Sequence, residues 1–222
     1  MKKIGDKVVA LYYFSKADHL LDNLEKKRLK VSLIDNLNDP FEIYGVYRKS
    51  KDFAARLEKF RANFIKTYGV ICMSENDWNP VMWGHYAEKN RGVCYRFEVR
   101  SSKIWKVKYS KELKRDKKLK KLGEEKVLRS LISTKSSEWR YEREFRFVSR
   151  LDDCVKENNL YFEGFSSDLQ LREVRLGKEC TLDIGEVRDA VKRSHGQSKV
   201  IVSKAKLSST SFRIIEDRSF RE

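Results

Sequence analysis

Short runs in which β-branched and aromatic residues alternate with polar ones recur along the whole chain, and they constrain its fold more than any other feature. They read VVALYYF (8–14), LKVSL (29–33), GVICMSE (69–75), VCYRFEV (93–99), IWKVKYS (104–110), EREFRFVS (142–149), LREVRLG (171–177), KVIVSKAKL (199–207) and FRIIED (212–217). Successive side chains of a strand point to opposite faces, so this pattern predicts strands with one face toward a core. Helical spacing falls between them. KADHLLDNLEKKR groups Leu20, Leu21 and Leu24, and SKDFAARLEKFRANFIKTYG sets Phe53, Leu57, Phe60 and Phe64 three and four apart. The stretch after Tyr109 puts Leu119, Leu122, Val127, Leu128, Leu131 and Ile132 on one stripe, and IGEVRDAVKRS predicts a short helix capped near Asp183. Strands and helices of unequal length, without a βαβ rhythm, predict an α+β fold rather than a doubly wound sheet. With 222 residues, no internal repeat and no linker rich in glycine, serine or proline, the chain is expected to form a single domain over 1–222. A basic helical insertion is expected at about 110–134.

Charge bears on partners. The net charge is +16 and charged residues make up 37% of the chain, a positive field that favours polyanions, nucleic acid first among them. Lysines spread along the whole chain serve solubility equally well. The densest run, KIWKVKYSKELKRDKKLKKLGEEK, predicts a helix with Lys114, Lys117, Lys118 and Lys121 available to phosphates; a solvated helix face is the other reading. Aromatics at 12% and only two prolines point to packed structure rather than disorder. The four cysteines, Cys72, Cys94, Cys154 and Cys180, form no CxxC pair, and Cys72 and Cys94 lie in apolar strand-like runs, so both are expected to be reduced core residues. No secretory signal follows Met1 and no stretch approaches spanning length, so a soluble cytoplasmic protein without membrane contact is expected.

Several chemistries find no support. The chain has no Walker loop, no GxGxxG and no Gly-x-Ser-x-Gly. His19, His85 and His195 are scattered without i,i+4 partners, so no metal site is expected from local spacing. Three clusters remain. NLNDPFE (36–42) offers Asp39 as an N-cap with Pro40 as the first helical residue. NPVMWGHYAEKNRGVCYRFEV (79–99) predicts a short helix whose Trp83, His85 and Tyr86 form either a stacking wall or an aromatic core turn. EWRYEREFRF (138–147), read as a strand, puts Trp139, Tyr141, Phe145 and Phe147 on one face with Arg143. Glu138, Arg140, Glu142, Glu144 and Arg146 fall on the other.

Taken in order, LNDPFE, CMSE, MWGHYA with GVCYRFE, EWRYEREFR and VRLGKE resemble a widespread bacterial family of unknown function found among phage-defence and toxin–antitoxin genes. The resemblance covers nearly the whole chain, from about Leu11 to Phe220. More distantly, the layout is similar to the ADP-ribosyltransferases, including DarT-like toxins that modify nucleic acid. That resemblance implies two small packed sheets with flanking helices, NAD as co-substrate, and transfer of ADP-ribose to RNA or single-stranded DNA, with an antitoxin protein as a possible partner. Glu144 would contact the ribose and Glu142 would activate the acceptor. Tyr13, Asn38, Asp39, Trp83, His85, Tyr86 and Arg146 would hold the cofactor. On a strand, residues two apart lie roughly 6.5–7 Å from each other on one face, a span that brackets a ribose and its acceptor. The first strand departs from the family pattern: where Tyr-Lys-Tyr is usual, this chain reads Leu11-Tyr12-Tyr13-Phe14, with Tyr13 in place of the lysine.

Other classes stay open. Asp39, Glu42, Glu142 and Glu144 would suit a divalent cation in a metal-dependent nuclease. Alternatively, EREFR is the charged face of a half-buried strand in a non-catalytic module that binds nucleic acid or a protein.

Overall fold

The computed structural model describes residues 7–45, 51–113, 124–196 and 199–220. In chain order the elements are β1 (Val8–Ser15), α1 (Leu20–Glu25), β2 (Arg28–Val31), α2 (Lys51–Thr67), β3 (Tyr68–Ser74), α3 (Pro80–Tyr86), β4 (Val93–Arg100), β5 (Ile104–Lys106) and β6 (Lys108–Ser110). They continue with α4 (Glu124–Ile132), β7 (Thr134–Ser136), β8 (Glu144–Arg150), β9 (Val155–Glu157), β10 (Leu160–Gly164), β11 (Leu169–Leu176), α5 (Ile184–His195), β12 (Ile201–Leu207) and β13 (Ile214–Asp217). The fold is α+β with mixed sheets: β11 and β12 pair in parallel, whereas β1–β4, β4–β11 and β12–β13 pair antiparallel. Packing divides the chain into two compact units. The first comprises the chain up to Leu29, Met73–Lys103, and the chain from Glu163; the second comprises Lys30–Cys72 and Ile104–Phe162.

In the first unit the strand order is β13-β12-β11-β4-β1. The register sets Leu11 opposite Phe97, Tyr13 opposite Tyr95 and Val9 opposite Val99, so the alternation seen in the sequence puts Leu11, Tyr95, Phe97 and Val99 into the core. Helices α1 and α5 pack on each other. Asp183 caps α5 by accepting from the Glu186 N–H at 2.9 Å, as the sequence predicts. Asn79 caps α3 in the same way, accepting from the Val81 N–H at 2.9 Å, with Pro80 opening the helix. After α3 the chain turns back through Glu88, Lys89 and Asn90, all with left-handed φ of 48°, 54° and 69°.

In the second unit β3, β8 and β5 are neighbours in that order, with Ile104 opposite Phe147, Trp105 opposite Arg146 and Lys106 opposite Phe145. Strands β6 and β7 pair in parallel, setting Tyr109 beside Lys135. The core gathers Ile34, Ile43, Phe53, Leu57, Phe64, Val70, Leu131 and Ile132. The spacing of Phe53, Leu57 and Phe64 on α2 serves this core directly.

Several boundaries differ from the sequence reading. IWKVKYS breaks at Val107 into β5 and β6. Strands β7 and β9 carry too little apolar sequence to announce themselves, and β10 (LYFEG) is a further strand beyond those read from sequence. The β9–β10 hairpin turns on Asn158 and Asn159, both with positive φ (50° and 61°), the conformation of a type I′ turn. Asp39-Pro40 opens no helix: residues 40–44 form a turn in which Asp39 Oδ1 accepts from the Phe41 N–H at 2.9 Å. EWRYEREFRF is a strand only from Glu144 onward; Ser137–Glu142 is a 3-10 turn closed by Arg143 in the left-handed conformation. Lys114, Lys117, Lys118 and Lys121, in the middle of the expected basic insertion, lie outside the described residues.

Candidate active site

The second unit holds a buried cluster of charge assembled from three separate sequence motifs. Its centre is Arg146, in the middle of β8 and 0% exposed. The guanidinium donates from Nε to Glu144 Oε1 at 2.7 Å and from Nη2 to Glu144 Oε2 at 3.1 Å. On its other side Nη1 reaches Glu42 Oε2 at 2.7 Å and Nη2 reaches Glu42 Oε1 at 2.5 Å. The remaining Nη1 hydrogen goes to the Ile132 carbonyl oxygen at 2.6 Å. Every N–H of the fork therefore has an acceptor, which is what a fully desolvated guanidinium requires.

Lys135, from β7, is the second cation. Its Nζ lies 2.6 Å from Glu142 Oε2, 3.2 Å from Glu144 Oε2 and 3.9 Å from Glu42 Oε1, and it sits 4.9 Å from the centroid of the Trp139 ring. Glu144 is anchored through its backbone as well, because its N–H donates to the Tyr109 hydroxyl at 2.7 Å.

Electrostatics follow from these contacts. Burial pushes the Glu144 carboxyl upward, but Arg146 and Lys135 outweigh it and hold the group at about 2. Glu42 goes the other way: burial raises its carboxyl and Arg146 compensates only in part. The two share one guanidinium, yet Lys135 is closer to Glu144 (3.2 Å) than to Glu42 (3.9 Å). Burial opposes the charge of Lys135, but Glu144 and Glu142 reverse the effect and raise its pKa. Burial pushes the Cys72 thiol well up, and the Glu144 charge adds to it, so this thiol stays protonated. With Glu42, Glu142 and Glu144 against Arg146 and Lys135, the ionised cluster holds one more carboxylate than cations.

Two strained residues flank the cluster. Ile43, next to Glu42, has φ of 67° although it is β-branched and fully buried, and Arg143, between Glu142 and Glu144, has φ of 45°. Left-handed backbone costs a non-glycine residue roughly 1–2 kcal/mol, so surrounding structure must impose it. At Arg143 the reversal brings the neighbouring glutamates to the same lysine, a convergence that the expected continuous strand would have produced differently.

No family model, curated protein or solved structure matches this chain.

The anticipated site residues divide between the units. Glu142, Glu144 and Arg146 meet in the cluster, and Glu42 of the NDPFE motif joins them, whereas Asn38 is exposed and Asp39 is buried in the adjoining turn. Tyr13, Trp83, His85 and Tyr86 belong to the first unit. Tyr13 packs on Tyr95 with centroids 5.9 Å apart, and exposed His85 meets half-buried Tyr86 at 6.1 Å. Trp83 is 0% exposed, edge-on to Phe14 at 5.4 Å, with its Nε1–H donated to the Asp77 carbonyl oxygen at 2.5 Å; it is a core residue rather than a face of an open wall.

The charged face of β8 is also not the wet one: Glu144 and Arg146 are buried, while Phe145 is half-buried under the Lys106 ammonium at 5.0 Å. Lys135 and Tyr109 were not singled out from sequence; the sole hint for Lys135 is one cation inside the small and apolar run LISTKSS. Among the described residues, no group of three or more His, Cys, Asp or Glu side chains is arranged to hold a metal ion. Both oxygens of Glu42 and of Glu144 face guanidinium N–H groups instead. Also among the described residues, no helix is long and apolar enough to cross a membrane.

Proposed function

We propose that this chain is an NAD-dependent ADP-ribosyltransferase of the defence or toxin type, acting on RNA or single-stranded DNA. In this reading it is a member of the bacterial family carrying NDPFE, MWxHYA and WxYExEFR motifs. The observation that carries the proposal is the convergence of Glu142 and Glu144 on Lys135, at 2.6 and 3.2 Å, in a buried cluster with one carboxylate in excess. When the bond from the ribose to nicotinamide breaks, its electron pair leaves with nicotinamide and the sugar becomes a cation. A dry site with fixed negative charge beside the ribose favours this transfer of positive charge from the pyridinium ring to the sugar. Glu144, kept ionised by Arg146 and Lys135, supplies the fixed charge. Glu142 takes the proton of the attacking acceptor. The +16 net charge suits a polyanionic acceptor, and a single strand offers its bases without the cost of opening a duplex.

Incubation of labelled NAD with RNA, single-stranded DNA or protein tests the reading. Nicotinamide release that depends on nucleic acid and is lost in Glu142→Gln is expected. No release with any acceptor would sink it. One observation favours a second reading: Arg146 is wholly buried with all its hydrogens satisfied, as in a structural ion cluster. In that case the chain is a non-catalytic module that binds nucleic acid or a protein partner, and Glu142→Gln leaves its binding intact.

A further inference from the structure

The hairpin that joins β12 to β13 carries an aromatic ring that contributes nothing to the fold. Phe212 is 99% exposed, so it buries next to no apolar area and fills no space in the core. The residues before it, Ser208, Ser209, Thr210 and Ser211, have the small hydroxyl side chains of an ordinary turn. A ring at the tip of such a turn is not required by turn chemistry.

The backbone under this ring is fixed by its own hydrogen bonds. The Ser208 N–H donates to the Arg213 carbonyl oxygen at 3.0 Å, the Arg213 N–H to that of Ser211 at 2.8 Å, and the Thr210 N–H to Ser208 Oγ at 3.2 Å. The next residue, Arg213, lays its guanidinium over the half-buried Trp78 ring, 4.7 Å from the centroid. Ile214 then donates its N–H to the Trp78 carbonyl oxygen at 2.9 Å. The tip therefore presents one bare ring beside a second ring already capped by a cation. Charge around it has one sign: from Gly196 to Ile215 the chain has no acidic residue and four cations, Lys199, Lys204, Lys206 and Arg213. Acids begin only at Glu216, and Asp217 is paired with Lys206 at 3.2 Å.

We propose that the tip of the β12–β13 hairpin is a docking surface for single-stranded nucleic acid. Phe212 stacks on one base, and the Arg213 guanidinium, backed by Trp78, donates in its own plane to a neighbouring phosphate. A solvent-exposed ring next to unneutralised cations is what a single strand needs, because it offers base faces and phosphates together. A duplex hides those faces in its own stack. A second copy of this chain adding a strand along β13 fits less well, because the Ile214 N–H is already bonded to Trp78. The surface stands in the first unit and does not rest on the chemistry of the carboxylates in the second.

The test titrates the full chain, without NAD, into short labelled oligouridylate and, separately, oligothymidylate, and follows fluorescence anisotropy. Binding is expected, and the tighter probe tells RNA from DNA. Phe212→Ala is expected to weaken that probe about tenfold while leaving the urea midpoint where it is, since the ring supports nothing. Phe212→Trp is expected to keep the affinity and to add an indole emission that the oligonucleotide quenches, which places a base on this residue itself. A duplex of equal length should bind Phe212→Ala and the wild type alike. No binding of either probe, unchanged affinity in Phe212→Ala, or an unquenched emission in Phe212→Trp would each overturn the assignment. So would a concentration-dependent dimer, seen by sedimentation, that Phe212→Ala abolishes, because the surface would then belong to a second copy. Phe212-dependent binding without nicotinamide release would leave this surface standing and remove the transferase; release with binding indifferent to Phe212→Ala would do the reverse.

Discussion

Glu42 and Arg146 stand 104 residues apart in sequence and meet in a two-pronged ion pair, with Nη1–Oε2 at 2.7 Å and Nη2–Oε1 at 2.5 Å. This pair welds the NDPFE turn to β8, and its geometry demands a guanidinium. Removing Arg146 would leave the desolvated Glu42 and Glu144, together with Glu142, to share the single ammonium of Lys135. Arg146→Met is therefore expected to cost about 3–5 kcal/mol in urea unfolding. Arg146→Lys should recover little of that, since one ammonium cannot serve two carboxylates bidentately. Near-wild-type stability in either variant would contradict the central role given to the fork.

The pH dependence of stability reports on Glu144. Its carboxyl is held at about 2 against an ordinary 4.5, so the native state binds that proton more weakly than the unfolded chain. The stability it contributes is complete above pH 4.5 and is lost as pH falls toward 2. Glu42, with a raised carboxyl, has the opposite sign: its ionisation costs stability as pH rises past 4.5. The urea midpoint of the wild type should fall steeply between pH 4.5 and 2, and Glu144→Gln should flatten that limb. An equally steep limb in the variant would show that other carboxylates set it.

Lys135 helps Arg146 to keep Glu144 ionised. In Lys135→Met the Glu144 carboxyl loses its 3.2 Å contact and should titrate at higher pH than in the wild type. Carbon-13 NMR of the side-chain carboxyls measures this directly. If the enzyme reading is right, nicotinamide release in this variant falls most at low pH, where Glu144 protonates first.

Trp83 is a core residue, and the stability of its variants should say so. Trp83→Ala is expected to cost about 3–5 kcal/mol through the cavity it leaves. Trp83→Phe keeps a ring against Phe14 but abandons the Asp77 carbonyl, at about 1 kcal/mol. A stable, folded Trp83→Ala would return this ring to the candidates for ligand stacking.

Backbone strain can be tested at Arg143. Glycine adopts φ of 45° without the steric penalty of a side chain, so Arg143→Gly should gain up to about 1 kcal/mol in urea unfolding. A loss of stability would mean that the Arg143 side chain contributes more than its backbone costs.

Local pattern was enough to determine much of this molecule. The alternation in VCYRFEV agrees with the burial of Tyr95, Phe97 and Val99, because a strand paired on both sides leaves its residues little choice of orientation. The spacing on α2 and the cap Asp183 were equally legible, since both depend on residues a few positions apart. EWRYEREFRF was not. Alternation alone suggested a ring face against the core and a charged face in water, but charge can be buried when a partner arrives from elsewhere. Those partners, Glu42 and Lys135, lie on other elements, and only the tertiary fold brings them to Arg146 and Glu144. The break at Arg143 escaped for the same reason: a left-handed arginine is locally unfavourable, and no sequence rule calls for one. The sequence determined where most strands and helices run; the tertiary structure alone decided how the strands pair and that the charges of β8 turn inward, because only long-range ion pairs make their burial tolerable.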